Sequence, residues 1–199
     1  LNETPMVTTT VQSAELIKYA SNAFLATKIS FVNEMANLCE VLGADIKVIE
    51  RGMGLDRRIG RKFLHAGAGY GGSCFPKDTQ ALAFFSRQAG NPIEVVEATI
   101  RVNDEQRVRV IRKLRAALED PKGKVVGVLG LSFKPETDDV REAVALDVIK
   151  AMVADGATVK AFDPVALPNA RLELGDIYTE CKGPEEVAEG ADALVIATE

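Results

Sequence analysis

The sequence has no tryptophan, one histidine and three cysteines among its 199 residues, and only 6% of it is aromatic. The lone histidine, His65, is not part of any Cys/His cluster at zinc-ligand spacing, so no metal site is expected. A Cys–His hydrolase is equally disfavoured, since no carboxylate or amide pairs with His65 by position. Three cysteines are an odd set without paired spacing, which fits reduced thiols in a cytoplasmic protein rather than a disulfide framework. There is no surplus of positive charge: 24 Lys and Arg stand against 29 Asp and Glu, a net charge of −5. General attraction to nucleic acid or to an anionic membrane is therefore not implied. No apolar run reaches the roughly 18 residues that a membrane-spanning helix needs. Residues 1–10 have neither the basic start nor the apolar run of a signal peptide. The sequence opens without Met and stops directly after an apolar, strand-like run, so it reads as cut from a longer protein. Internal repeats are absent.

What is present is concentrated in Gly67-Ala68-Gly69-Tyr70-Gly71-Gly72-Ser73-Cys74-Phe75-Pro76-Lys77-Asp78. Four glycines allow close approach of backbone to a ligand. Pro76 suits a first helical position, and Asp78 supplies the negative charge that a first turn favours. Cys74 thus precedes a helix N-terminus, where unpaired N–H groups and the helix dipole lower a thiol pKa. A reactive cysteine in a binding loop is one reading. A small core cysteine beside a glycine-rich turn is the other.

The rest of the chain divides in two. Residues 1–12 read as a connector, and Ser13 as the N-cap of a helix over 14–42, ended by Gly43. About 30 helical residues span about 45 Å, long enough to pack against a second copy as well as its own domain. Lys18 and Asn22 share one face of this helix, by spacing alone a solvated polar pair; Cys39 falls on an apolar face and reads as core. Asp45 caps a short helix to Arg51, and residues 56–62 form a basic loop suited to phosphates or to solvent. Helices follow over 77–88 and 92–118, with Pro92 at the first position of the second and its arginines on a solvated face. Asp120-Pro121-Lys122-Gly123 breaks the pattern and divides an all-helical domain, 1–120, from an α/β domain, 121–199. There, strands are expected at Val125–Leu129, Thr158–Phe162 and Ala193–Ala197, with a helix over 141–154 and a helical turn at 185–189. This is the opening of a doubly wound, Rossmann-like sheet, whose ligands bind at the carboxyl ends of the strands. The loop 131–135 lies at that place, with Lys134 as a phosphate partner. Gly127 and Gly130 do not make a G-x-G-x-x-G fingerprint, so the nucleotide site rests on topology.

Three ordered motifs carry a resemblance: residues 14–24, the run Gly69 to Asp78, and Phe133-Lys134-Pro135 through Thr137-Asp138-Asp139 to Arg141-Glu142, with Asp163-Pro164 also fitting. Together they resemble the central and C-terminal parts of the UDP-glucose/GDP-mannose dehydrogenase family. The resemblance implies that a sugar C6 alcohol is oxidised twice, with two NAD molecules, to a carboxylate. UDP-glucose is the expected substrate, with GDP-mannose or a UDP-N-acetylhexosamine as alternatives. It implies Cys74 as nucleophile, Lys18 and Asn22 as donors to the oxyanion, and Asp78 as a base for water. Nucleotide-sugar contacts are implied for Arg58, reaching from a neighbouring subunit, for His65 through Tyr70 and Gly71, and for Phe133 and Lys134; His65 stands where a lysine occurs in a relative. Contacts to NAD are implied for Cys74, Lys77 and Arg141. A homodimer through the long helix is expected. The family's first, NAD-binding domain is missing from this sequence, so the chain alone is expected to be inactive. A reading from a different class, a non-catalytic dimerisation and nucleotide-sensing module, requires an unreactive Cys74.

Overall fold

A computed structural model describes residues 5–198. Residues 1–4 of the expected connector and the terminal Glu199 lie outside the described residues. Seven helices and four strands are found among the described residues. The helical part holds α1 (Val11–Leu42), α2 (Ile46–Gly54), α3 (Phe75–Gln88) and α4 (Glu94–Leu118). Then come β1 (Val125–Leu129), α5 (Val144–Ala154), β2 (Thr158–Phe162), α6 (Leu167–Leu174), β3 (Thr179–Glu180), α7 (Pro184–Ala188) and β4 (Ala193–Ile196).

The long helix begins earlier than expected. Thr10 is its N-cap, with extended backbone and a side chain accepting from the Ser13 amide, so Ser13 is inside the first turn. Gly43 closes it in the left-handed conformation, as anticipated. Asp45 caps α2, but that helix runs on through Gly54. Pro92 lies outside α4, because Asn91 and Ile93 are held against the end of α3. The Asn91 and Ile93 amides donate to the Ser86 carbonyl and hydroxyl. α5 starts at Val144 rather than Arg141, since Glu142 adopts φ 54° and interrupts the helix.

All strands are parallel, in the order β3-β2-β1-β4. β2 and β4 pair with the two edges of β1, α5 and α7 pack on it, and its central residues are buried, which explains its unbroken apolar run. β3 and α6 were not anticipated; only Ala170 and Leu174 of α6 are buried, too few to make a periodic signal. α4 joins the two halves. Its Val96 packs with Ala23, Leu82 and Ala83 among the helices. Its Leu114 and Leu118 belong to the core formed by the sheet and α5. Nor are its arginines simply a solvated face: Arg107, Arg109 and Arg115 pair with Asp147, Glu40 and Asp155 on other elements.

The chain turns from β2 to β4 on opposite sides of β1, so the switch point of the sheet lies between the carboxyl ends of β1 and β4. The loop Gly67–Ser73 of the helical part stands across that point.

Candidate active site at a glycine-rich cysteine loop

Cys74 is the N-cap of α3 and is exposed to solvent, whereas Cys39 and Cys181 are buried. Phe75 begins the helix, so Pro76 occupies its second position and Asp78 its first turn. The first intrahelical bond runs from the Asp78 amide to the Cys74 carbonyl, 2.9 Å. The Cys74 thiol lies 3.7 Å from the Ser73 hydroxyl.

Lys18, Asn22, Lys77 and Asp78 gather around the start of α3. Asp78 is buried, and Asn22 Nδ2 donates to its carboxylate at 2.5 Å. Lys77 forms an ion pair with the other carboxylate oxygen. Lys18 Nζ lies 4.0 Å away and remains solvent-accessible. Burial alone would raise the Asp78 pKa, but hydrogen bonds from Lys77 and Asn22 and the charges of Lys77 and Lys18 hold it below the usual carboxylate value. Asp78 is therefore a fixed anion that orients Asn22 and draws in two ammonium groups. The Asp78 hydrogen bond raises the Lys77 pKa.

Backbone contacts hold the glycine loop against the sheet-bearing half. A Cβ on Gly71 would lie 2.1 Å from the Glu142 carbonyl oxygen, and one on Gly72 2.5 Å from the Phe133 ring. The Gly72 amide donates to the Arg141 carbonyl at 2.9 Å. Only glycine permits this approach. From behind, Asn33 accepts from the Gly67 amide and Gln106 donates to the Gly67 carbonyl, while Asn103 both accepts from and donates to the Tyr70 backbone. Glu50 accepts from the Ala66 amide. Sequence reasoning missed these buried polar residues. The signal that could have found them is Asn103, Gln106 and Arg107 at i, i+3 and i+4, a polar row beside the apolar stripe of α4.

The seam separates two clefts. One, of about 340 Å³, is at the switch point and has His65, Gly67–Gly69 and Gly71 on one wall; Ser132–Pro135 after β1 and Ala197–Thr198 after β4 form the other. His65, Gly71, Phe133 and Lys134 thus line one cleft. Tyr70 does not join them: it is buried, with its ring edge-on to Phe75 at 6.0 Å, and burial raises its pKa. The second cleft, about 460 Å³, lies on the other side and is lined by Ser73, Lys77, Arg107, Arg141 and Lys150 among others. Arg141 is held by Asp139 through two side-chain bonds. Arg58 stays outside this assembly, exposed and paired with Asp56.

The sheet itself does not fit a dinucleotide. Asp163, at the end of β2 where such folds place the carboxylate that binds a ribose, accepts from four amides: Leu131, Ser132, Val165 and Ala166. It locks the loops after β1 and β2 together and has no capacity left for a sugar. Lys77 and Arg141, both exposed, line the second cleft and are paired with Asp78 and Asp139. Among the described residues, no group of three His, Cys, Asp or Glu could hold a metal ion. No described helix is long and apolar enough to cross a membrane.

Two family models match successive parts of the chain. Residues 12–105 match the central domain of the UDP-glucose/GDP-mannose dehydrogenase family, and residues 127–199 match its UDP-binding domain. The chain is 51% identical to the UDP-glucose 6-dehydrogenase TuaD of Bacillus subtilis over 195 residues, 98% of this chain and 42% of that protein. It is also 51% identical to a UDP-glucose 6-dehydrogenase of Rhizobium meliloti, over 100% of this chain and 46% of that one. A solved UDP-glucose dehydrogenase from Pyrobaculum islandicum superposes with a TM-score of 0.96 at 42% identity, covering 98% of this chain and 45% of the other. The chain thus spans less than half the length of these relatives.

Proposed function

Since the chain belongs to the UDP-glucose/GDP-mannose dehydrogenase family, we propose that it supplies the nucleophile and the nucleotide-sugar cleft of an NAD-dependent UDP-glucose 6-dehydrogenase. The observation that carries this reading is the exposed Cys74 at the N-cap of α3, directly after the glycine loop that forms one wall of the cleft at the sheet's switch point. The nucleotide lies between the glycine loop and the Phe133–Lys134 segment, with Lys134 at the phosphates.

The chemistry then follows from the residues. Loss of hydride and a proton takes the C6 alcohol to an aldehyde. The Cys74 thiolate adds to that carbon: a C–S bond forms, and the carbonyl π electrons move to oxygen, where Lys18 and Asn22 offer donors. The adduct, a thiohemiacetal, loses a second hydride and a proton to give a thioester. Water adds, the C–S bond breaks, and a carboxylate and the free thiol are released. NAD, when bound, accepts one hydride in each oxidation; Lys77 and Arg141 are the residues of this chain placed to meet its phosphates. An aldehyde cannot lose hydride to become an acid until a nucleophile has added, which is why the sulfur is needed. Asp78 keeps Asn22 and the lysines aimed, and its carboxylate is the acceptor within this cluster for the proton of the attacking water.

The working unit in this reading is a cytoplasmic homodimer that includes a separate NAD-binding domain. Ile17, Phe24, Phe31 and Leu38 repeat every seven residues along α1, and all four are exposed. A strict seven-residue repeat of this kind suits a second helix packed alongside. Arg58, free of its own chain's site, would then serve the other subunit. The test is production of NADH from UDP-glucose by a polypeptide that joins this chain to its dinucleotide-binding domain. The expected stoichiometry is two NADH per carboxylate, with no turnover by this chain alone. Equal turnover of GDP-mannose would assign another substrate class, and turnover by residues 1–199 alone would refute the division of labour.

A further inference from the structure

We propose that Arg107 is a positioning residue for the reaction: its guanidinium fixes the offset between the Cys74 sulfur and the nucleotide cleft. This rests on the function proposed above. Arg107 lies on α4, and its side chain is only 14% exposed. One edge of the fork binds Asp147 in the first turn of α5, with Nε donating at 2.8 Å and Nη2 at 2.5 Å. Nη1 donates to Glu142 at 2.7 Å. A planar fork that holds two carboxylates at fixed angles transmits position as well as charge, which an ammonium on a flexible stem does not.

What Arg107 grips is the segment that touches the reactive loop. Glu142 is held at φ 54°, a strained angle for a residue with a side chain. In that conformation its carbonyl abuts Gly71, and the preceding Arg141 carbonyl receives the Gly72 amide. Cys74 follows two residues later. On the other face of the same contact the Phe133 ring lies against Gly72 and lines the nucleotide cleft. One turn before Arg107, Asn103 holds the Tyr70 backbone at 2.7 and 3.1 Å. A single helix therefore grips both sides of the seam. Arg107 borders the second cleft but not the nucleotide cleft, and its tie to the reactive loop runs through Glu142 and the seam.

The test uses the complete enzyme and three variants: Arg107→Lys, Arg107→Gln and Glu142→Gln. The Glu142 side chain is 53% exposed, so its neutralisation does not threaten folding. Misplacement of reacting groups by about 1 Å costs up to about a hundredfold in rate. The expected result is a roughly tenfold or larger fall in kcat with UDP-glucose for all three variants. Thermal midpoints of Arg107→Lys and Glu142→Gln stay within a few degrees of the unmodified enzyme. UDP-glucose is also expected to protect Cys74 from iodoacetamide less well in the variants, with alkylation of the free enzymes unaltered. Turnover by Arg107→Lys and Glu142→Gln within twofold of the unmodified enzyme overturns the inference, as does a loss that only follows the thermal midpoint. No turnover by the unmodified enzyme overturns the proposed function and this inference with it.

Discussion

Replacing Gly71 with alanine adds one methyl group where the two halves of the chain meet. Its Cβ would lie 2.1 Å from the Glu142 carbonyl oxygen, 3.0 Å from the carbonyl carbon and 3.5 Å from Phe133 Cβ. The two closest atoms are backbone, so no rotamer change relieves the clash. The seam must open by about 1 Å to restore ordinary contact, and the neighbouring Gly72 amide to Arg141 carbonyl bond, 2.9 Å, stretches with it. Overpacking costs about 1–3 kcal/mol, and a weakened hydrogen bond about 1 kcal/mol more, so about 2–4 kcal/mol is expected in total. For a chain of this size that is a fall of about 5–15 °C in Tm, read by calorimetry or circular dichroism. Titration with UDP is expected to show weaker binding as well, since the displaced loop forms one wall of the cleft. Gly71→Ala that unfolds within 2 °C of the unmodified protein and binds UDP equally would refute the claim that this contact joins the halves.

Other consequences are open to direct measurement. Burial would raise the Asp163 pKa, but four backbone amides outweigh it and hold the carboxyl below its ordinary 3.8. A depressed carboxyl stabilises the fold above the unfolded value and loses that contribution as pH falls through the folded one. Asp163→Ala is therefore expected to cost about 3–5 kcal/mol at pH 7 by stranding buried amides, with the deficit shrinking below about pH 4 in urea titrations; an equal deficit at pH 3 and pH 7 contradicts the charged role. Phe24→Glu, in the middle of the exposed stripe of α1, is expected to convert a dimer to monomer in sedimentation, and unchanged mass places the interface elsewhere. Asp78→Asn in the complete enzyme is expected to lower kcat strongly, because Asn22, Lys18 and Lys77 lose their shared anchor; full activity in that variant would leave the cluster without a catalytic purpose.

The parts of the fold governed by uninterrupted local patterns were legible in the sequence. The apolar runs at Val125–Leu129 and Thr158–Phe162 are strands with those bounds, and Gly43 ends α1 as a left-handed glycine should. Boundaries set by distant contacts were not. Arg141 and Glu142 have good helix propensity, yet Gly71 and Gly72 hold them outside α5. Cysteine loop, Lys18–Asn22 face and Phe133–Lys134 segment were all visible as motifs. What spacing could not reveal was the support behind them: Asn33, Asn103, Gln106 and Arg107 read as ordinary polar residues on helices until the fold brings the loop over them. Asp78 was visible too, but its burial against two lysines, which sets its charge state, depends on α1 meeting α3.

The central claim concerns one bond, between the Cys74 sulfur and the C6 carbon of the sugar. Acid-quenching the complete enzyme during turnover of UDP-glucose with NAD, followed by peptide mass spectrometry, measures it directly. The expected result is a sugar-nucleotide thioester on the peptide carrying Cys74, with Cys74→Ser forming no stable adduct and losing carboxylate production. A quench showing no adduct, together with carboxylate production by Cys74→Ala at the unmodified rate, would contradict the account.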